Sequence, residues 1–60
     1  MNTHEQLLKI FEDYQAENSK FSEKGVKVSA ARARKALSEI SNLCKVRRKE
    51  IMEEKNEMAK

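Results

Sequence analysis

The sequence has few of the residues that small proteins use to staple a fold or build a site. Its 60 residues include one cysteine, one glycine, no proline and no tryptophan, and aromatic residues make up 5%. Cys44 alone cannot form an internal disulfide, and Cys44 with His4 provides too few ligands for a zinc site. No apolar run exceeds two residues, so no segment predicts a membrane span. These absences exclude a disulfide scaffold, a structural zinc domain and a transmembrane helix.

The length limits the chain to one domain, residues 1–60, and excludes most enzyme architectures. A chain of this size buries only about 60% of the surface that its unfolded form exposes, so we expect self-association to supply further burial. The sequence contains no nucleophile–base pair, no glycine-rich phosphate loop and no metal-ligand set. We therefore expect no catalysis, cofactor or metal. Neither a basic leader nor an apolar segment opens the chain, and the lone thiol is typical of a reducing cytoplasm.

The apolar pattern predicts an all-α fold that begins with one amphipathic helix. Thr3 is a candidate N-cap, with Gln6 completing a capping box. Gly25 can end the helix in the left-handed conformation. A first helix over residues 4–23 follows from the side chains that recur at steps of three and four, namely Leu7, Phe11, Tyr14, Asn18 and Phe21, with Ile10 widening the stripe.

A second helix is predicted over residues 29–58, with Ser29 as its N-cap. Because the connection around Gly25 is short, the two helices should form an antiparallel helical hairpin. The predicted inward stripe of the second helix comprises Ala30, Ala33, Leu37, Ile40, Cys44, Arg47 and Ile51, with Ala36 and Leu43 on its edge.

The second helix is about ten residues longer than the first, which leaves apolar side chains near its end without an intrachain partner. A homodimer with a four-helix or coiled-coil-like arrangement would cover Ile51, Met52 and Met58. The alternative is that the acidic helix end, residues 50–60, frays in solvent. Cys44 on the inward stripe is expected to pack in the core, and His4 to be a solvated first-turn residue. Arg47, also on that stripe, is expected to snorkel or to pair with Glu17 or Asp13 of the first helix.

Charge is concentrated in the middle of the chain. The net charge of +3 is the sum of +7 over residues 25–49 and −2 on each flanking segment. A helical wheel gathers part of this charge into one continuous surface. We call this surface the basic track, and its residues are Lys27, Arg34, Ser38, Ser41, Lys45, Arg48 and Lys49.

A solvated helix face normally alternates charges to gain i,i+4 pairs, and the basic track lacks this alternation. The pattern favours a polyanionic partner, and specifically the phosphate backbone of a double-stranded nucleic acid. Single-strand stacking needs exposed aromatic side chains, whereas Phe11, Tyr14 and Phe21 fall on the predicted core stripe. Two alternatives stay open: a small coiled-coil module that docks on an acidic protein, and an RNA-binding helical bundle.

Residues 24–36, KGVKVSAARARKA, resemble the bacterial linker-histone-like nucleoid proteins, the chlamydial histone-like family with its short Bacteroidota relatives. Members show a Lys-Gly turn, a run of small residues, an Arg-x-Arg-Lys step and a long helix with a later basic patch, here residues 45–50. The resemblance covers residues 5–55. It implies a nucleoid-associated protein that compacts DNA with little sequence preference. Chlamydial members also carry a Lys/Ala/Pro-rich tail that these 60 residues do not contain, so the similarity is to the short relatives. The DNA-binding residues that it implies are Lys24, Lys27, Arg32, Arg34, Lys35, Lys45, Arg47, Arg48 and Lys49.

Overall fold

The computed structural model describes residues 2–59 and contains two helices joined by a two-residue connection. Helix α1 spans Thr3–Lys24 and helix α2 spans Lys27–Met58. The helices pack side by side as an antiparallel hairpin with dimensions of 52 × 16 × 14 Å. The predicted all-α hairpin is confirmed, and the homodimer stays a prediction. The predicted domain, residues 1–60, reaches one residue beyond the described part at each end.

Helix α1 begins one residue before the predicted start because Asn2, not Thr3, is its N-cap. The Asn2 side-chain oxygen accepts a hydrogen bond from the Glu5 backbone N–H at 2.8 Å. Thr3 is already helical, and its hydroxyl donates to Glu50 Oε2 at 2.7 Å across the hairpin. The predicted Thr3 cap is therefore wrong. Asn2 and Thr3 are both residue types that can cap a helix. Asn2 takes that role, and the Thr3 hydroxyl bonds to Glu50 of α2 instead.

Gly25 ends helix α1, as predicted, with φ 68° and ψ 26°. Its N–H donates to the Phe21 carbonyl at 3.0 Å, and the Val26 N–H donates to the Lys20 carbonyl at 3.3 Å. These two bonds satisfy carbonyls that the last turn of a helix would otherwise leave unpaired. The left-handed conformation at Gly25 reverses the chain within two residues.

Helix α2 begins at Lys27, two residues before the predicted start, and the Ser29 cap is wrong. Ser29 lies in the first turn, where its N–H donates to the Val26 carbonyl at 3.1 Å. Its side chain is 1% exposed, and its hydroxyl has no hydrogen-bond partner among the described residues. The short connection presses this turn of α2 against α1, so Ser29 is buried where a capping residue would be solvated.

The face of α2 that packs against α1 differs from the predicted stripe. Ala33 and Ala36 are buried, and Ile40 and Leu43 are half-buried. By 100° per residue, the inward face is rotated about 60° from the predicted one. The exposed side chains that the sequence placed inside are Phe11, Phe21, Leu37, Cys44 and Ile51.

The size of the side chains near the turn explains this rotation. A two-residue connection forces the two helix axes close together next to Gly25. The face with Ser29, Ala33 and Ala36 has the smallest side chains on that part of α2, so it allows the closest approach. Leu37 on the predicted face would hold the helices further apart. At the other end Thr3 meets Glu50, so residues 51–58 of α2 extend about 12 Å beyond α1 at 1.5 Å per residue.

Candidate nucleic-acid interface

The basic track runs along the side of α2 that faces away from α1. All seven of its side chains are exposed. At 100° per residue they centre on the direction opposite the buried Ala36, so α1 lies on the far side of α2 and leaves them uncovered. From Lys27 to Lys49 the track is about 33 Å long at 1.5 Å per residue. A stiff helix thus presents its cations in one line to solvent.

Within residues 2–59, no cation of the basic track lies within ion-pair distance of a carboxylate. Lys27, Arg34, Lys45, Arg48 and Lys49 therefore keep their N–H donors available to an external anion. Between these cations, the hydroxyls of Ser38 and Ser41 can donate further hydrogen bonds to phosphate oxygens. The surface is chemically suited to a chain of phosphates.

Arg47, next to the track in sequence, has a different environment. Its Nη1 lies 3.3 Å from Glu50 Oε1 and 3.3 Å from Glu54 Oε1. The second oxygen of Glu50 accepts a hydrogen bond from the Thr3 hydroxyl. The network therefore links the two helices at the end of the hairpin opposite Gly25, which we call the open end. The hydrogen bonds to Glu50 and then Glu54 raise the pKa of Arg47 above its ordinary value. The predicted partners Glu17 and Asp13 are wrong, because carboxylates on its own helix lie closer.

Arg32 also lies off the track, on a flank of the hairpin where the two helices meet. Its Nη1 is 3.9 Å from Glu17 Oε1, which is also 3.8 Å from Lys20 Nζ. Arg32 remains largely exposed, with 64% of its side-chain surface accessible. Because this ion pair is long and Arg32 is exposed to solvent, Glu17 neutralises the charge of Arg32 only in part.

Lys24 and Lys35 are exposed and, among the described residues, form no ion pair. Lys24 lies in the last turn of α1, where a cation is favourable at the negative end of the helix dipole. Lys35 lines a shallow groove on the same flank as Arg32, together with Asp13 and Glu39. Both lysines broaden the positive surface near the turn without lying on the track.

One exposed cation near the edge of the track was missed by the sequence reasoning. Lys55 follows Arg48 by seven residues, which places it about 20° round α2 from Arg48, at the same angular position as Leu37. Because Lys55 lies in a segment of net negative charge, a sum of charges along the chain did not single it out. The neighbouring Glu54 is directed toward Arg47 instead. The heptad spacing from Arg48 was the signal that would have found Lys55.

The remaining candidate residues carry no additional chemistry. Cys44 is a free, exposed thiol, so its predicted place in the core is wrong. His4 is exposed in the first turn of α1, as predicted. Across residues 2–59, no group of three or more His, Cys, Asp or Glu side chains is arranged to hold a metal ion. Neither helix, over the same residues, combines the length and the apolar character needed to cross a membrane.

Comparison with known proteins places the chain in one family. The family model described as "Histone H1-like protein Hc1" matches residues 1–57. No curated protein and no solved structure gives a match. The family match covers α1, the turn, α2 up to residue 57 and the whole basic track. The chain therefore belongs to the histone H1-like protein Hc1 family, whose members are DNA-binding proteins of the nucleoid.

Proposed function

We propose that this chain binds double-stranded DNA without sequence preference and organises it as an architectural protein of the nucleoid. The main support is the basic track, whose cations lack carboxylate partners within residues 2–59 and face solvent in one line. Cations that neutralise phosphates release condensed counterions, and this gain in free energy does not depend on base sequence. Family membership supports DNA as the polyanion.

The dimensions of the track suit a duplex. Its length of about 33 Å is close to one turn of B-form DNA, which rises about 34–36 Å. The cations fall into two groups on this line, Lys27 and Arg34 near the turn and Lys45, Arg48 and Lys49 further along. The two groups can therefore contact phosphates at separate places along one duplex. A homodimer would carry two such tracks and could bridge or bend DNA.

The chemistry of the track favours backbone contacts over base readout. Its side chains are lysine, arginine and serine, without the asparagine or glutamine that commonly read adenine edges. Phe11 is half-exposed, but it belongs to α1, whereas the track lies on the side of α2 that faces away from α1. The track therefore lacks the aromatic platform on which single-stranded bases stack. A duplex is the expected ligand.

A pair of double variants with equal charge change tests the proposal. Arg34→Gln with Lys45→Gln removes two track cations. Lys9→Gln with Lys20→Gln removes two cations of α1 that already have carboxylate partners, Asp13 at 3.0 Å and Glu17 at 3.8 Å. Each lost phosphate contact lowers affinity about fivefold at 0.15 M salt, because the counterion-release slope is about 0.9 per phosphate. The track variant should therefore bind duplex DNA about 30-fold more weakly, and the control within twofold of wild type.

The same titrations separate the competing functions. Fluorescence anisotropy should be measured with two duplexes of unrelated sequence, a single strand and an RNA duplex. Equal losses for both DNA duplexes in the track variant support backbone binding. Equal losses in the two double variants would show that only net charge matters, and tighter binding of RNA would favour the RNA-binding bundle. No binding to any nucleic acid at 50 mM salt would favour an acidic protein partner.

A further inference from the structure

The middle of the basic track differs from its two ends in side-chain length. Ser38 and Ser41 are the two residues of the track that carry no charge, and both are exposed. Arg34 precedes them and Lys45 follows them, so the nearest long side chains of the track are about 16 Å apart at 1.5 Å per residue. Along the axis of α2, this face therefore presents long, then short, then long side chains.

A straight helix meets a convex surface when it contacts a duplex. The helix comes closest at one point, and the surface of the DNA curves away from it on both sides of that point. Short side chains at the closest point let the helix backbone approach, and long side chains further along reach the receding surface. The side chains of α2 follow this shape, with the two serines at the middle of the track.

The track also carries cations on both of its edges. Arg48 and Lys49 are adjacent, so they point about 100° apart around α2. Ser38 and Ser41 lie between these two directions. A surface with cations on both edges and hydroxyls between them matches a groove, because a phosphate backbone bounds the groove on each side. A single row of phosphates would need cations in one direction only.

The major groove of B-form DNA has the dimensions to receive α2. This groove is about 12 Å wide and about 8.5 Å deep, and a helix with its side chains is about 10–12 Å across. The minor groove is about 6 Å wide and does not admit a helix. Helix α1 packs on the side of α2 that carries the buried Ala36, opposite the track. It would therefore stay outside the groove and would not block the approach of α2.

We propose that the middle of α2 lies in the major groove of B-form DNA, with Ser38 and Ser41 facing the floor of the groove, an inference that rests on the proposed function. Arg34 and Lys45 then reach phosphates on either side of the point of closest approach. A serine hydroxyl both donates and accepts hydrogen bonds, so it can bond to the edge of either base pair. This position of α2 therefore requires no particular base sequence.

The same position of α2 distinguishes DNA from double-stranded RNA. The major groove of an A-form RNA helix is deep and narrow, and side chains cannot read it. On such a helix α2 would remain outside the major groove, and the two serines would have no groove floor to contact. The shape of the track therefore selects the B-form duplex, although the phosphate charge of the two duplexes is the same.

Duplexes that are modified in one groove test this position with the wild-type chain, by fluorescence anisotropy. Glucosylated 5-hydroxymethylcytosine fills the major groove with an uncharged sugar. Replacing adenine by 2,6-diaminopurine adds an uncharged amino group in the minor groove. Glucosylation should weaken binding at least about fivefold at 0.15 M salt, the effect of one lost phosphate contact, and diaminopurine should leave affinity within about twofold. Equal affinity for glucosylated and unmodified duplexes, or a loss with diaminopurine alone, would overturn the proposal.

A matched pair of double variants tests the two serines. Ser38→Leu with Ser41→Leu lengthens the middle of the track and keeps every cation. Ser19→Leu with Ser22→Leu makes the same change at two exposed serines of α1 that have the same spacing. The track variant should bind unmodified duplex about fivefold more weakly, because longer side chains hold α2 away from the groove floor and cost about one phosphate contact. The α1 variant should bind like wild type, and equal affinities of the two variants would contradict the proposal.

These readouts distinguish a failure of this inference from a failure of the proposed function. If wild type binds glucosylated and unmodified duplexes equally well, α2 lies outside the major groove, and binding to the phosphate backbone stands. If wild type binds no duplex at low salt, the proposed function fails and the groove position fails with it. Circular dichroism checks that both double variants remain helical, and the modified duplexes need no variant at all.

Discussion

Arg47 and Arg48 are adjacent residues of the same type, and the structure predicts that their replacement affects different properties of the protein. Arg47 is held by Glu50 and Glu54 at 3.3 Å each. Arg48 is exposed, and no carboxylate in the described part of the chain lies within ion-pair distance. Glutamine at either position removes one charge and preserves helix propensity. Arg48→Gln should weaken DNA binding, and Arg47→Gln should instead lower the melting temperature.

The magnitude follows from counterion release. One lost phosphate contact changes the slope of log K against log salt by about 0.9 and lowers affinity about fivefold at 0.15 M salt. Arg48→Gln should show both changes on every duplex tested. Arg47→Gln should keep the wild-type slope, because its guanidinium faces the carboxylates of its own helix. Anisotropy titrations from 50 to 200 mM salt measure the slopes. Equal slope changes for the two variants would refute the conclusion that Arg48 is available to phosphates and Arg47 is not.

Three substitutions test how the hairpin is held together, each by urea denaturation followed by circular dichroism. Gly25→Ala should destabilise by about 1 kcal/mol through its positive φ alone, because a Cβ there meets no atom within 4 Å; an unchanged midpoint would contradict the left-handed turn. Asn2→Ala should lower the free energy of unfolding by about 1 kcal/mol, because it removes the N-cap of α1. An unchanged free energy of unfolding would indicate that Thr3 is the N-cap instead. Ser29→Ala should stabilise by about 1 kcal/mol, because it removes a buried hydroxyl that lacks a partner; destabilisation would indicate that the hydroxyl caps α2 after all.

The number, length and direction of the helices could be predicted from local signals. Gly25 is the one glycine of the chain, and the apolar period on either side of it is helical. The rotation of α2 could not be predicted, because α2 contains two overlapping series of apolar residues that share Ala33 and Ile40. A helical wheel does not show which of the two series faces α1. Only the close approach of the axes at the turn selects the face with Ala36 and leaves Leu37 exposed.

The candidate site was predictable in the placement of its charges but not in their pairing. Spacing alone identified the track, because its residues share one side of a long helix. Whether an arginine is available depends on side-chain geometry around it, and adjacent residues differ in this respect. Arg47 points toward the carboxylates at the open end, where Thr3 also binds Glu50. Glu50 and Glu54 of the acidic end therefore bond to Thr3 and Arg47 and not to the cations of the track.

The salt dependence of wild-type binding to two duplexes of unrelated sequence tests the central claim most directly. If the track contacts about five phosphates per chain, log K should fall with log salt at a slope near −4.5. The two duplexes should give the same slope and the same affinity. A slope near zero, or a strong preference for one duplex, would contradict binding through the phosphate backbone.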